Sequence, residues 1–185
     1  MNIYLPRQID LITPTHESPL FFLVGPVHGG GDWQSRMVDC IGAQAPNAHI
    51  ACPTPWGVTH RLARYFVRSF CQASNRQLVW ERHYIRQAIR EKNVPGCVIV
   101  WLPCESISSP RSGPEPYARD TRREVGKFTA YAELGLKPRV VFGGETEFLG
   151  LSVILFELRA AMGETFKFYE SMTDLVDRAL QIARQ

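Results

Sequence analysis

Short apolar runs alternate with stretches of helical spacing along most of this chain. Phe21-Phe22-Leu23-Val24 reads as a buried strand that ends at Gly25-Pro26. Asp32 is placed to cap a helix in which Trp33, Met37 and Ile41 recur at helical spacing. Ala48 to Cys52 predicts a short second strand, stopped by Pro53. Pro53 to about Asn75 reads as a long loop with a helical turn near Arg61 to Phe70. Asn75 is expected to cap a helix running to about Lys92, with Leu78, Ile85 and Ile89 on its buried side. Cys97 to Leu102 is the clearest strand, an unbroken apolar run of the kind found when both faces of a parallel sheet are covered. Pro103 to Ala118, rich in Ser, Pro and Gly, reads as a surface loop. A helix is expected from about Thr121 to Leu134, with Gly135 where a C-cap belongs. Arg139 to Phe142 predicts a fourth strand, ended by Gly143-Gly144. Phe148 to Met162 reads as a helix stopped by Gly163, and Phe166 to Tyr169 as a fifth strand. Ser171 and Asp174 form a capping box for a last helix that lines one face with Leu175, Ala179 and Ile182.

Five alternations of strand and helix predict an α/β protein. The expected architecture is a Rossmann/flavodoxin-like open parallel sheet of about five strands with helices on both faces. Residues 21–185 form the expected domain. Residues 1–20 are an N-terminal extension or edge hairpin, built from Ile3-Tyr4-Leu5 and Ile9 to Ile12. Ligands in such sheets sit beyond the carboxyl ends of the strands, which directs attention to the residues after Val24, Cys52, Leu102 and Phe142.

Composition narrows the classes of function. The formal net charge is +3, and apart from Arg119, Arg122 and Arg123 the basic residues are scattered. A nucleic-acid polymer is not an expected partner. No apolar run approaches bilayer length, so no membrane association is expected, and no secretion signal is read at the N-terminus. The five cysteines are odd in number, with no CxxC spacing. That fits reduced thiols in a cytoplasmic protein better than a disulfide framework or a zinc site. His16, His49, His60 and His83 show no metal-ligand spacing, so neither a metal nor another cofactor is expected. There is no GxSxG elbow, which removes support for a hydrolase triad.

Three features can carry chemistry. The first is the loop Gly25-Pro26-Val27-His28-Gly29-Gly30-Gly31, between a strand and a helix. Glycines allow close backbone approach to a ligand, and a helix start offers free N–H groups. Gly25, Pro26, His28, Gly29 and Gly30 are therefore candidate ligand contacts, although the loop matches neither GxGxxG nor GxxxxGK[ST]. The second is Glu124, which opens a helix after the strongest strand and is available as nucleophile or base. On position alone, most glutamates there only complement the helix dipole. The third is Trp80-Glu81, where a tryptophan is usually core and a neighbouring glutamate usually solvated. Cys104, just past a strand end, reads as a passive thiol.

Taken in order, several short elements resemble the nucleoside 2-deoxyribosyltransferase family, in its more divergent branch. They are Phe22-Leu23-Val24-Gly25-Pro26 followed by Trp33, then Gln77 and Trp80-Glu81, the strand Val98 to Leu102, Glu124-Val125-Gly126, and Val140 to Gly143. The resemblance covers roughly residues 20 to 180. It implies cleavage of the bond between a base and 2-deoxyribose, in a nucleoside or its 5′-monophosphate. A glutamate attacks the anomeric carbon, and the sugar passes to a second base or to water. Glu124 is then the nucleophile, while Glu81 or Asp32 supplies a proton or positions the substrate. The glycine loop and Gly126 lie near the sugar or phosphate, and Trp33 or Trp56 is available to stack on the base. The resemblance also implies a homo-oligomer. Phe22 stands where many members have a tyrosine that orients the catalytic glutamate, which keeps open a second reading, a nucleotide-binding or sensor module without turnover.

Overall fold

The β-branched and aromatic runs become the strands of one open sheet, with every pairing parallel. The structure is a computed structural model that describes residues 1–6, 18–53, 61–65, 74–90 and 94–184. Its strands are β1 (Asn2–Tyr4), β2 (Leu20–Val24), β3 (His49–Ala51), β4 (Gly96–Leu102), β5 (Val140–Gly144) and β6 (Phe168–Tyr169). They lie in the order β1-β3-β2-β4-β5-β6. Without β1, the inner five follow the flavodoxin-like order 2-1-3-4-5 of doubly wound sheets.

Period-two alternation splits the core into two layers. Phe21, Leu23, Cys97, Ile99 and Trp101 face α1 (Trp33–Gln44) and α5 (Met172–Ala183). Leu20, Phe22, Val98, Val100 and Leu102 face α2 (Ser74–Arg90), α3 (Arg119–Glu133) and α4 (Leu151–Met162). All residues of β2 and β4 are buried, as the unbroken apolar runs require.

The expected caps form at two helices. The Asp32 carboxylate accepts from the Ser35 N–H at 3.4 Å, and the Ser171 hydroxyl accepts from the Asp174 N–H at 3.4 Å. Elsewhere the boundaries move. α2 starts at Ser74, so Asn75 lies inside it rather than ahead of it. Its buried side carries Trp80, Tyr84 and Ala88 at the i, i+4, i+8 spacing of one helical face, with Ile89 buried and Ile85 packed against the same core as expected, whereas Leu78 is exposed. α3 begins two residues earlier than expected, and α4 begins at Leu151 after Gly150 takes a left-handed φ of 78°. β6 keeps only two residues of its predicted four. The sixth strand is the N-terminal one, with Ile3 opposite Ile50 at the sheet edge. The hairpin half proposed at Ile9 to Ile12 lies outside the described residues. Arg61–Tyr65 is a 3-10 turn tied to α1 by two 2.6 Å hydrogen bonds from Arg61 to Asp39. No described helix is long and apolar enough to cross a membrane.

Candidate functional site

The strand order reverses direction between β2 and β4, and the chain leaves these two neighbours toward opposite faces. A crevice at their carboxyl ends is the usual ligand position in such a sheet. Here the glycine loop follows β2, the 103–118 loop follows β4, and the two loops pack on each other. Gly29 has φ 78°, and its carbonyl accepts from the Ser106 N–H at 2.6 Å. A Cβ on Gly30 would come within 3.0 Å of the Pro103 ring. The Tyr117 hydroxyl donates back to the Pro103 carbonyl at 2.8 Å.

Packing accounts for part of the loop's composition. A Cβ on Gly25 would lie 2.5 Å from the Trp33 ring and 2.6 Å from the Trp101 carbonyl oxygen. Trp33 is fully buried and donates its indole N–H to the Pro26 carbonyl at 2.8 Å. Gly25 and Pro26 are thus buried between Trp33 and the strand ends, whereas His28 and Asp32 are exposed.

A cavity of about 480 Å³ opens between Gly30, Gly31, Arg36, Cys104, Glu145 and residues 105–108, a size suited to a small molecule. Glu145 organises it. Its N–H donates to the Leu102 carbonyl at 3.0 Å, and its carboxylate accepts from the Cys104 N–H at 2.7 Å. The other carboxylate oxygen is 3.9 Å from Arg36. Burial, then the Glu145 carboxylate, pushes the Cys104 thiol up, which keeps it protonated and fits its passive reading. Glu145 was not among the sequence candidates. Its position just past the fourth strand was the available signal. A second cavity, about 440 Å³, lies by Pro19 and Pro95 at the opposite, amino end of the strands.

Glu124 belongs to a different neighbourhood. The inner face of α3 is Thr121, Val125, Phe128 and Thr129. Glu124 sits half-buried beside that face, within electrostatic reach of Glu81 on α2. Burial pushes the Glu124 carboxyl up to about 8, the Glu81 charge adds to the rise, and Lys127 opposes it. Glu81 is raised too, chiefly by burial, against the pull of a 3.0 Å hydrogen bond from the Gln77 amide. Two carboxyls that share such surroundings resist being ionised together. Among the described ion pairs, Glu124 takes part in none.

The predicted residues therefore gather in two groups. Gly29 and Gly30 meet the 103–118 loop, and Gly30 lines the cavity. Glu81 lies within electrostatic reach of Glu124, and neither lines either of the two cavities. Gly126, two residues on from Glu124, projects from the opposite side of α3 and is exposed. Trp56 lies outside the described residues. Phe22 is buried against Trp80, with ring centroids 5.6 Å apart.

No protein-family model matches this chain, and no curated protein matches it. What the site can do follows from its own chemistry. The raised Glu124 carboxyl can hold a proton near neutral pH. The cavity can hold a small polar molecule against a fixed carboxylate, an arginine and the backbone of a glycine turn.

Proposed function

We propose that this chain cleaves the N-glycosidic bond of a 2-deoxynucleoside or its 5′-monophosphate, passing the sugar to a second base or to water. The observation that supports this reading is the half-buried Glu124, set beside a second carboxyl, Glu81, in surroundings that raise both. Two carboxyls with shifted affinities for a proton are the working parts of retaining glycoside chemistry. In the empty site Glu124 holds the proton at neutral pH. In the reaction Glu124 passes that proton to Glu81, which delivers it to a nitrogen of the departing base. The C–N bond breaks as the Glu124 carboxylate bonds to the anomeric carbon. Water or an acceptor base then attacks that carbon and gives its proton to the Glu81 carboxylate, the ester bond to Glu124 breaks, and the Glu124 carboxylate is restored.

The test is a panel of deoxynucleosides and their monophosphates, each incubated with the protein and assayed for free base by chromatography, with and without an acceptor base. Base release that requires an acceptor marks a transferase, and release without one a hydrolase. If no compound releases base, the enzymatic reading fails.

Phe22 favours a second reading. It lacks the hydroxyl that would orient an attacking carboxylate, and it is packed into the core rather than toward a ligand. A nucleotide-binding or sensor module without turnover fits that packing. Ligand-induced thermal stabilisation, equal in the native chain and in Glu124→Ala and without base release, would select it.

A further inference from the structure

Gln77 precedes Trp80-Glu81 on α2, and the glycosidic reaction as written leaves it without a task. Trp80 is fully buried against Phe22, which fixes the rotation of the helix. Glu81, the next residue, is thereby carried to the edge of the buried face and is half-buried there. α3 supplies the charged groups in its electrostatic reach: Lys127, Asp120 and Glu124. Gln77 lies four residues before Glu81, on the same side of α2, and its amide donates to Glu81 Oε1 at 3.0 Å. Among the described residues no other hydrogen bond reaches the Glu81 side chain, and it joins no ion pair. On a fully exposed helix such a pair would do little. Here Glu81 is drawn out of water, and a desolvated carboxylate depends on the donors it has.

The reaction makes a further demand. Glu81 is a carboxylate at rest and an acid once Glu124 has handed it the proton. It is a carboxylate again after the base departs, and an acid again after water or the acceptor base has reacted. A partner that can only donate holds the first form and opposes the second. A primary amide carries both functions, an N–H donor and a carbonyl acceptor. A half-turn about its terminal C–C bond exchanges them with no other movement.

We propose that Gln77 is the positioning residue of Glu81, its amide N–H donating to the carboxylate and its carbonyl, after that half-turn, accepting from the acid. The purpose of this switch rests on the glycosidic reading, but the switch itself can be followed without turnover. Two substitutions take it apart. Gln77→Met keeps the length of the side chain and removes both functions, whereas Gln77→Lys keeps a donor and has no acceptor.

The first test is an NMR titration of the full chain with isotope-labelled glutamate carboxyls and glutamine amides. In the native chain the Gln77 amide signals change over the same pH range as the Glu81 carboxyl. Glu81 titrates at higher pH in Gln77→Met, which has lost the donor. It titrates at lower pH in Gln77→Lys, which keeps a donor and adds a positive charge. Gln77 is half-buried, so circular dichroism and thermal melting stay native in both variants. The second test is base release. kcat falls on the order of tenfold or more in both variants. On the acid side of the kcat/KM profile Glu81 takes up a proton in the free protein, and Glu124 then has nowhere to send its own. That limb moves up in pH with Met and down with Lys, a split that a merely structural role would not produce. A Glu81 titration that neither variant moves, or Gln77 amide signals that stay constant through it, overturns the switch. Variants that shift the titration yet keep the native kcat overturn the positioning role. A native chain that releases no base sinks the glycosidic reading by itself, and the titration still decides whether Gln77 holds Glu81.

Discussion

Two neighbourhoods at the ligand end of the sheet treat carboxylates in opposite ways. At the glycine-loop rim, Glu145 accepts a backbone N–H, lies near Arg36 and stays partly solvated. On the α2–α3 flank, Glu124 and Glu81 are both drawn out of water, offset at Glu81 by the Gln77 amide and the Lys127 charge. A carboxylate held by donors is a fixture that positions what binds beside it. A carboxyl starved of donors keeps its proton to higher pH and can give it up during a reaction. On the proposed reading, binding and proton chemistry fall on the two sides of the β2–β4 junction.

The largest expected effect tests the proton-holding side. Glu124→Gln lowers base release by on the order of 10³-fold or more, while ligand binding, measured by thermal shift, persists. The native chain's kcat/KM should fall as pH rises through about 8, because the proton that Glu124 then loses in the free protein is the one delivered to the departing base. A flat profile breaks the division just drawn.

Next in size is a test of packing at the rim. Gly25→Ala drives a methyl into the Trp33 ring and the Trp101 carbonyl and costs about 1–3 kcal/mol, read from denaturant unfolding. An unchanged midpoint would show that the loop is looser than its contacts require.

A smaller effect follows from proton linkage. The folded state holds the Glu124 proton more tightly than the unfolded chain, where the ordinary value is 4.5. The stability linked to that proton is complete below the unfolded value and is lost as pH rises through about 8. Glu124→Gln keeps a neutral side chain throughout, so its melting temperature should fall less than the native protein's over that range. Parallel curves would place Glu124 in water. The smallest effect is at the rim. Glu145→Gln can still accept the Cys104 N–H, so it should cost less than about 1 kcal/mol and leave the pH profile unmoved.

Most of the fold was legible because burial on two faces leaves a plain mark: Phe21 to Val24 and Cys97 to Leu102 contain no polar residue. Caps with a side-chain oxygen, Asp32 and Ser171, were legible for the same local reason. The inner row of α2 was not, because Leu78 and Trp80 are both apolar and only packing against Phe22 decides which turns inward. The site was legible residue by residue but not in its grouping. Sequence spacing places Glu124 and the glycine loop at the same end of the sheet. It does not reveal that the first lies within electrostatic reach of Glu81 while the second packs on the 103–118 loop.

The 103–118 loop is hung from both ends. Near its start, Ser106 is tied to Gly29, and near its close, the Tyr117 hydroxyl is tied to the Pro103 carbonyl. Its roots are set before any guest arrives. A molecule entering the cavity would meet a loop whose anchors are already fixed. Only the span between them, around fully exposed Ile107, is left to settle on the guest. The entropy lost on capture would be that of the ten residues between the anchors rather than of all sixteen, which leaves more of the contact energy as affinity.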